Sequence, residues 1–181
     1  MKLVILDRDG VINYDSDAYI KSPAEWVPIP GSLEAIARLH RAGFTVTVAT
    51  NQAGVARGLF DLAALDAIHH RMQTAIAQAG GKLAGIFYCP HGPENGCDCR
   101  KPQPGLLRKI SGQLQVDLHD VPVIGDSLRD IEAAERVNAR PILVLTGSGQ
   151  KTLQSLQAAR RVEVFADLVA ATDQLLSEGE S

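Results

Sequence analysis

The chain lacks a basic excess. Among its 181 residues, 18 Lys and Arg stand against 21 Asp and Glu, a formal net charge of -3 at pH 7. Nucleic-acid binders generally carry a surplus of cations, so no nucleic-acid partner is expected. The chain also lacks any apolar run near the roughly 18 residues of a membrane span, so no membrane partner is expected either. Met1-Lys2-Leu3 leads straight into an apolar segment, which leaves no room for a signal peptide. Cysteine is sparse: three residues, an odd number, all between Cys89 and Cys99. Such a set argues against a disulfide framework and for metal ligands or reduced thiols, and the expected compartment is the cytoplasm. Internal repeats and low-complexity tracts are absent too. What remains, 45% hydrophobic and 22% charged, is ordinary for a soluble globular protein. At roughly 150 residues per domain, the length predicts one domain over residues 1–176, a monomer, with a flexible tail at 177–181. A domain of this size buries about 70% of its unfolded surface, enough for a core without disulfides.

Short, nearly continuous apolar runs occur at Leu3–Leu6, Phe44–Ala49, Gly85–Tyr88, Val121–Ile124 and Ile142–Leu145. Such runs suit strands covered on both faces, as in a parallel sheet. Helical spacing fills the gaps. Leu33, Ile36, Ala37 and Leu39 share a face before Gly43; Leu62, Leu65, Ile68, Met72 and Ile76 follow Asp61, a suitable N-cap. Leu106, Leu107 and Ile110 start a third helix, and Ile131, Ala134 and Val137 mark a fourth. Thr152–Leu176 holds two helices around a short strand at Val162–Phe165. This alternation predicts an α/β, doubly wound three-layer sandwich with a mainly parallel sheet. Insertions at residues 13–31 and 89–104 interrupt it, and neither is long enough for a large cap domain. Their size suits a small soluble substrate.

In open parallel sheets, ligands bind beyond the carboxyl ends of the strands. The residues there are Asp7 and Asp9 after the first strand, and Thr50, Asn51 and Arg57 after the second. A Cys/His cluster with Arg100 and Lys101 follows the third, and Asp126, Ser127 and Asp130 follow the fourth. One Asp after a strand is usually a turn residue or helix cap. Carboxylates, a hydroxyl and cations gathered at successive strand ends suit a hard divalent metal and a phosphate instead.

The segments DRDGV, TNQ, RKP and GDSLRD, in this order and placed after strands, resemble the four motifs of the haloacid dehalogenase superfamily of phosphohydrolases. The resemblance runs from Leu3 to about Thr146. The longer forms DRDGVIN, TNQAGVARG, CPH…CDCRKP and GDSLRD are most similar to a branch that removes one phosphate from a sugar bisphosphate. Histidinol-phosphate phosphatases, with a similar zinc loop, are close relatives. The resemblance implies a core strand order of 5-4-1-2-3, a Mg²⁺ cofactor and a small phosphorylated sugar as substrate. Asp7 becomes the nucleophile, forming an aspartyl-phosphate, and Asp9 the acid and base. Mg²⁺ is then held by Asp7, Asp126 and the backbone carbonyl of Asp9. Gly10 permits a tight backbone path past the two aspartates. Thr50 and the Asn51 N–H bind phosphoryl oxygens, and Lys101 supplies a fixed charge. Arg100 takes a substrate phosphate. Arg57 is either a helper in this or a surface arginine.

Cys89, His91, Cys97 and Cys99 form an S₃N set, complete for a structural, tetrahedral Zn²⁺ that stabilises its loop and leaves no position for a reacting water. Three buried thiols beside a surface His are the bland alternative. Several residues keep two readings. Asp130 fits a capping box with Ser127 or support for the metal. Trp26 either touches substrate or anchors its loop, and Thr146–Gly149 is either a phosphate cradle or a plain turn. His69 and His70 are read as helix-face residues away from the strand ends. Two other classes remain. A receiver-like phospho-switch also uses Asp, Thr, Lys and Mg²⁺, but its accepting Asp follows the third strand, where this chain has cysteines. A phosphomutase would move the phosphate between sugars.

Overall fold

β1 (Lys2–Leu6) contains four consecutive apolar residues, Leu3 to Leu6, and all four are buried. Side chains alternate across a strand, so Val4 and Leu6 enter one core while Leu3 and Ile5 enter the other. That two-sided burial is what a central parallel strand requires. In the computed structural model, which describes residues 1–158 and 160–179, β1 lies at the middle of a six-stranded sheet. The other strands are β2 (Phe44–Asn51), β3 (Gly85–Cys89), β4 (Pro122–Gly125), β5 (Arg140–Val144) and β6 (Glu163–Phe165). Their order is β3-β2-β1-β4-β5-β6 and every pairing is parallel. The expected core order is present, with β6 added beside β5.

The helices are α1 (Ser32–Arg41), α2 (Leu62–Gln78), α3 (Gly105–Leu114), α4 (Leu128–Glu135), α5 (Gly149–Ser155) and α6 (Leu168–Gly179). Ile36 and Leu39 of α1, Ile68, Met72 and Ile76 of α2, and Leu168 and Leu175 of α6 cover the Val4/Leu6 face. Leu106, Leu107 and Ile110 of α3, with Ala133 and Ala134 of α4, cover the Leu3/Ile5 face. The result is a three-layer α/β sandwich. Asp61 caps α2 as expected, its carboxylate accepting from the Ala64 N–H at 2.8 Å.

Some local expectations shift. Thr50 and Asn51 belong to β2 itself, because pairing with β3 runs out to Asn51 opposite Cys89. Leu62, the first residue of α2, lies past the end of the buried stripe and is 48% exposed. Ser177 to Gly179 continue α6 instead of starting a loose tail, and Arg140 binds Glu178 there at 2.8 Å. Glu180 and Ser181 lie outside the described residues. In the first insertion, Trp26 is 1% exposed and packed into the core, so it anchors the loop. No helix among the described residues is long and apolar enough to cross a membrane.

Candidate active site

β2, β1 and β4 are adjacent, so their carboxyl ends deliver Thr50, Asp7 and Asp126 to one rim. A cleft of about 370 Å³ opens there. Its wall includes Asp7, Asp9, Thr50, Asn51, Arg57, Arg100, Lys101, Asp126 and Asp130. The proposed phosphate groups of the sequence thus meet at one place. The zinc-type cluster stands behind them, in the loop that leads to Arg100.

Lys101 is the hub. Its side chain is 4% exposed, and Nζ lies 3.1 Å from Asp7 Oδ1 and 2.6 Å from Asp130 Oδ1. Nζ also donates to the Ala49 carbonyl at 2.7 Å. Burial works against the ammonium charge, but Asp130 and Asp7 outweigh it and hold its pKa well above the usual lysine range. The Asn51 side chain fixes the Lys101 backbone, donating to its carbonyl and accepting from its N–H, both at 3.0 Å. This clamp was not foreseen from the sequence.

Asp130 completes the capping box with Ser127 and also holds Lys101. Its Oδ2 accepts from the Ser127 N–H at 3.1 Å and hydroxyl at 2.9 Å, the reach-back half of a capping box. Its Oδ1 holds Lys101. Gly125 makes room for it: a Cβ there would meet the Asp130 side chain at 2.3 Å.

Asp126 is fixed from the other side. Its Oδ2 accepts from the Ser148 N–H at 2.9 Å, and its carbonyl from the Thr152 hydroxyl at 2.8 Å. Gly10 (φ +82°) and Gly147 (φ +55°) both press on that carboxylate, where a Cβ would come within 2.0 and 2.2 Å of Oδ2. Thr146 donates to the Gly10 carbonyl at 2.6 Å. The Thr146–Gly149 turn therefore orients Asp126.

Carboxylate oxygens of Asp7, Asp126 and Asp130 lie within 4.8 Å of one another. Burial, then Asp130, push Asp7 well above the usual carboxylate range, with Lys101 pulling the other way. The same two causes raise Asp126 to about 7. Three crowded hard-oxygen acids with one ammonium between them suit a divalent cation such as Mg²⁺.

Asp9 is held differently. Its Oδ1 accepts from Arg8 Nε at 2.9 Å and Asn13 Nδ2 at 2.9 Å, and its Oδ2 from Gln52 Nε2 at 3.0 Å. Arg8 is wholly buried. Gln52 also donates to the Thr50 hydroxyl at 3.0 Å. His69 is 5% exposed and contacts Arg8, so it lies beneath the strand ends, not on a remote helix face. His70 is exposed. Sequence reasoning missed Arg8, Gln52 and Arg129. A signal for Arg8 existed: between two rim-facing residues, a strand-end side chain points inward.

The cations face the opening. Arg100 and Arg129 both line the cleft, and burial followed by Arg129's charge lowers the Arg100 pKa. Two guanidiniums in mutual repulsion suit an anion. Arg57 stacks over the Tyr19 ring, 5.6 Å from its centre, on the same wall. Asp15, Ser16, Asp17, Tyr19 and Ile20 of the first insertion complete that wall.

Cys89, His91, Cys97 and Cys99 offer their ligand atoms within 4.8 Å of one another. His91 Nδ1 lies 3.5 Å from Cys89 Sγ and 3.3 Å from Cys99 Sγ. Four convergent N and S atoms with no carboxylate fit Zn²⁺. Arg100 Nη1 donates to the His91 carbonyl at 3.3 Å, which ties the cluster to the cleft.

The fold and this rim define a class: phosphohydrolases of the haloacid dehalogenase type. A HAD-hydrolase-like family model matches residues 98–171. A D-glycero-β-D-manno-heptose-1,7-bisphosphate 7-phosphatase of Bordetella bronchiseptica is 57% identical over 98% of this chain and 99% of its own. One from Pseudomonas putida is 56% identical over 97% and 100%. A crystal structure of the D,D-heptose 1,7-bisphosphate phosphatase from B. bronchiseptica, complexed with magnesium and phosphate, superposes with a TM-score of 0.96 at 57% identity. It covers 98% of this chain and 99% of that one. The chain belongs to the D-glycero-β-D-manno-heptose-1,7-bisphosphate 7-phosphatase family.

Proposed function

We propose that this protein removes the 7-phosphate of D-glycero-D-manno-heptose 1,7-bisphosphate, leaving a heptose 1-phosphate for nucleotide-activated heptose synthesis. The observation that carries this reading is the meeting of Asp7, Lys101, Asp126 and Asp130 at neighbouring strand ends, in a chain 57% identical to a named heptose phosphatase.

Asp7 is the nucleophile. Its Oδ1 is tied to Lys101 and to the Arg8 N–H at 2.8 Å, which gives Oδ2 the attack on phosphorus. The P–O bond to the sugar breaks, its electrons pass to the sugar oxygen, and Asp9 protonates that oxygen. Water then attacks the aspartyl-phosphate, Asp9 takes its proton, and the Asp7 carboxylate returns with inorganic phosphate. Thr50 and the Asn51 N–H bind phosphoryl oxygens. Lys101 holds a fixed positive charge against the transferring group. Mg²⁺, held by Asp7, Asp126 and the Asp9 carbonyl, supplies the charge that lets two anions approach. Arg100, Arg57 and the neighbouring Arg129 receive the phosphate that is not hydrolysed. Zn²⁺ on Cys89, His91, Cys97 and Cys99 is structural. All these groups come from one chain, which supports a monomer, and reduced thiolate ligands suit the cytoplasm.

The test is phosphate release with Mg²⁺ from the heptose bisphosphate, from histidinol phosphate and from other sugar bisphosphates. One phosphate released per heptose bisphosphate, with the highest kcat/KM of the set and no acceptor sugar, is the expected result. A higher kcat/KM on histidinol phosphate overturns the substrate assignment, and release only with an acceptor sugar overturns hydrolysis.

A further inference from the structure

Arg8 is a buried cation directly beneath the catalytic rim, with 0% exposure and an adjacent histidine from α2. The hydrolytic steps give neither side chain a task. Arg8 sends its guanidinium in three directions. Nε and Nη2 reach Asp9 Oδ1 at 2.9 and 2.8 Å. Nη2 also donates to Gln52 Oε1 at 3.3 Å. Nη1 meets His69 Nε2 at 3.1 Å. Arginine has only donors, so His69 Nε2 accepts and its proton sits on Nδ1. Burial first, then the Arg8 charge, lower the His69 pKa to about 3, in keeping with a neutral imidazole.

We propose that Arg8, His69 and Gln52 form a positioning device that sets the plane of the Asp9 carboxylate. The inference rests on the acid/base reading of Asp9. Each contact constrains one degree of freedom. His69 stops the guanidinium from swinging about its stem, Arg8 pins Asp9 Oδ1 with two nitrogens, and Gln52 pins Oδ2. Gln52 also reaches the Thr50 hydroxyl, so the acid/base group and a phosphate-binding group share one anchor. Arg8 and Asp9 are consecutive, and groups from elsewhere in the chain fix the far end of the guanidinium: Gln52 at Nη2, and His69 of α2, 61 residues away in sequence, at Nη1. Misorientation of a proton donor by a fraction of an ångström is costly, since general acid–base help depends on hydrogen-bond geometry.

The experiment compares His69→Phe, His69→Gln, Arg8→Lys and Asp9→Asn with the unaltered protein. The substrates are heptose bisphosphate, a poor leaving group that needs a proton, and p-nitrophenyl phosphate, a good one that does not. Circular dichroism melts establish that each variant folds. His69→Phe is expected to lower kcat on the bisphosphate about tenfold or more, within the range of general acid–base catalysis. KM should change less than about twofold, because substrate contacts remain. The first burst of nitrophenolate should keep its rate, while steady-state turnover, which needs Asp9 as base, falls. His69→Gln, with an amide oxygen to accept from Arg8, should restore most of kcat. Arg8→Lys retains the charge but lacks the fork and should behave like His69→Phe.

The inference is overturned if folded His69→Phe and Arg8→Lys both keep full kcat on the bisphosphate. It is equally overturned if burst rate and kcat drop together with the melting temperature and His69→Gln restores nothing. Asp9→Asn separates this outcome from failure of the acid/base reading: if it too keeps full kcat on the bisphosphate, the reading of Asp9 itself is wrong.

Discussion

Asp7 and Asp126 sit in a field of like charge that burial intensifies, with Lys101 as the buried counter-ion. Replacing Asp7 by Asn keeps the shape and one acceptor oxygen but removes the attacking charge. Asp7→Asn is expected to fold normally, with phosphate release reduced to background in a steady-state assay. Wild-type turnover in that variant would refute the nucleophile assignment. Gly10 makes a second prediction. Its φ of +82° disfavours a side chain, and an added Cβ would sit 2.0 Å from Asp126 Oδ2. Gly10→Ala should cost about 1–3 kcal/mol in urea unfolding from backbone strain. It should also weaken Mg²⁺ binding, measured by calorimetry, because Asp126 must move. Arg8 shows how far residue-level reading reaches. Its inward direction was a signal left unread in the alternation along the strand, and its partner His69 could not be guessed, since nothing local links position 8 to position 69.

At the scale of elements, two devices hold pieces against the sheet. The first is the cysteine loop between β3 and α3. It has a short turn, Pro93–Asn95, with no buried residue of its own, so a metal on Cys89, His91, Cys97 and Cys99 would be its main source of order. Cys97→Ser should lower melting temperature and activity together. A zinc chelator should do the same to the wild-type protein, with activity recovering when Zn²⁺ is restored. The second device is Arg140 on β5, which reaches both Glu163 of β6 and Glu178 of α6. The hydrogen bond from Arg140, then that from Gln174, lower the Glu178 pKa from 4.5 to about 2. A depressed carboxylate stabilises the fold above its ordinary value and loses that effect as pH falls through its folded value. Glu178→Gln should therefore lose up to about 1 kcal/mol at pH 7, a screened surface pair. The gap from wild type, read by denaturant titration, should close between pH 4.5 and 2. This pairing also explains why α6 runs on to Gly179: the residues past 176 look polar in sequence, but their helix is tied to the sheet edge.

Over the whole molecule, the parallel order puts β1 between β2 and β4, and that neighbourhood assembles the site. Light scattering is expected to give one 19.4 kDa chain, since no site group has to come from a second copy. The apolar runs, their alternation with helical stripes, and the acids and cations after the strands were legible from residue order alone. Local chemistry decides them: a run such as Leu3–Leu6 can be satisfied only by cover on both faces, and acids placed beyond it have only the rim to occupy. Strand order, by contrast, came from likeness to a family. The clamp of Asn51 on Lys101, the double service of Asp130, the approach of Gly10 and Gly147 to Asp126, and the His69–Arg8–Asp9 chain were decided only by tertiary structure. Each joins positions whose closeness depends on how the sheet and its helices pack, and burial then forces every polar group brought together there to find a partner.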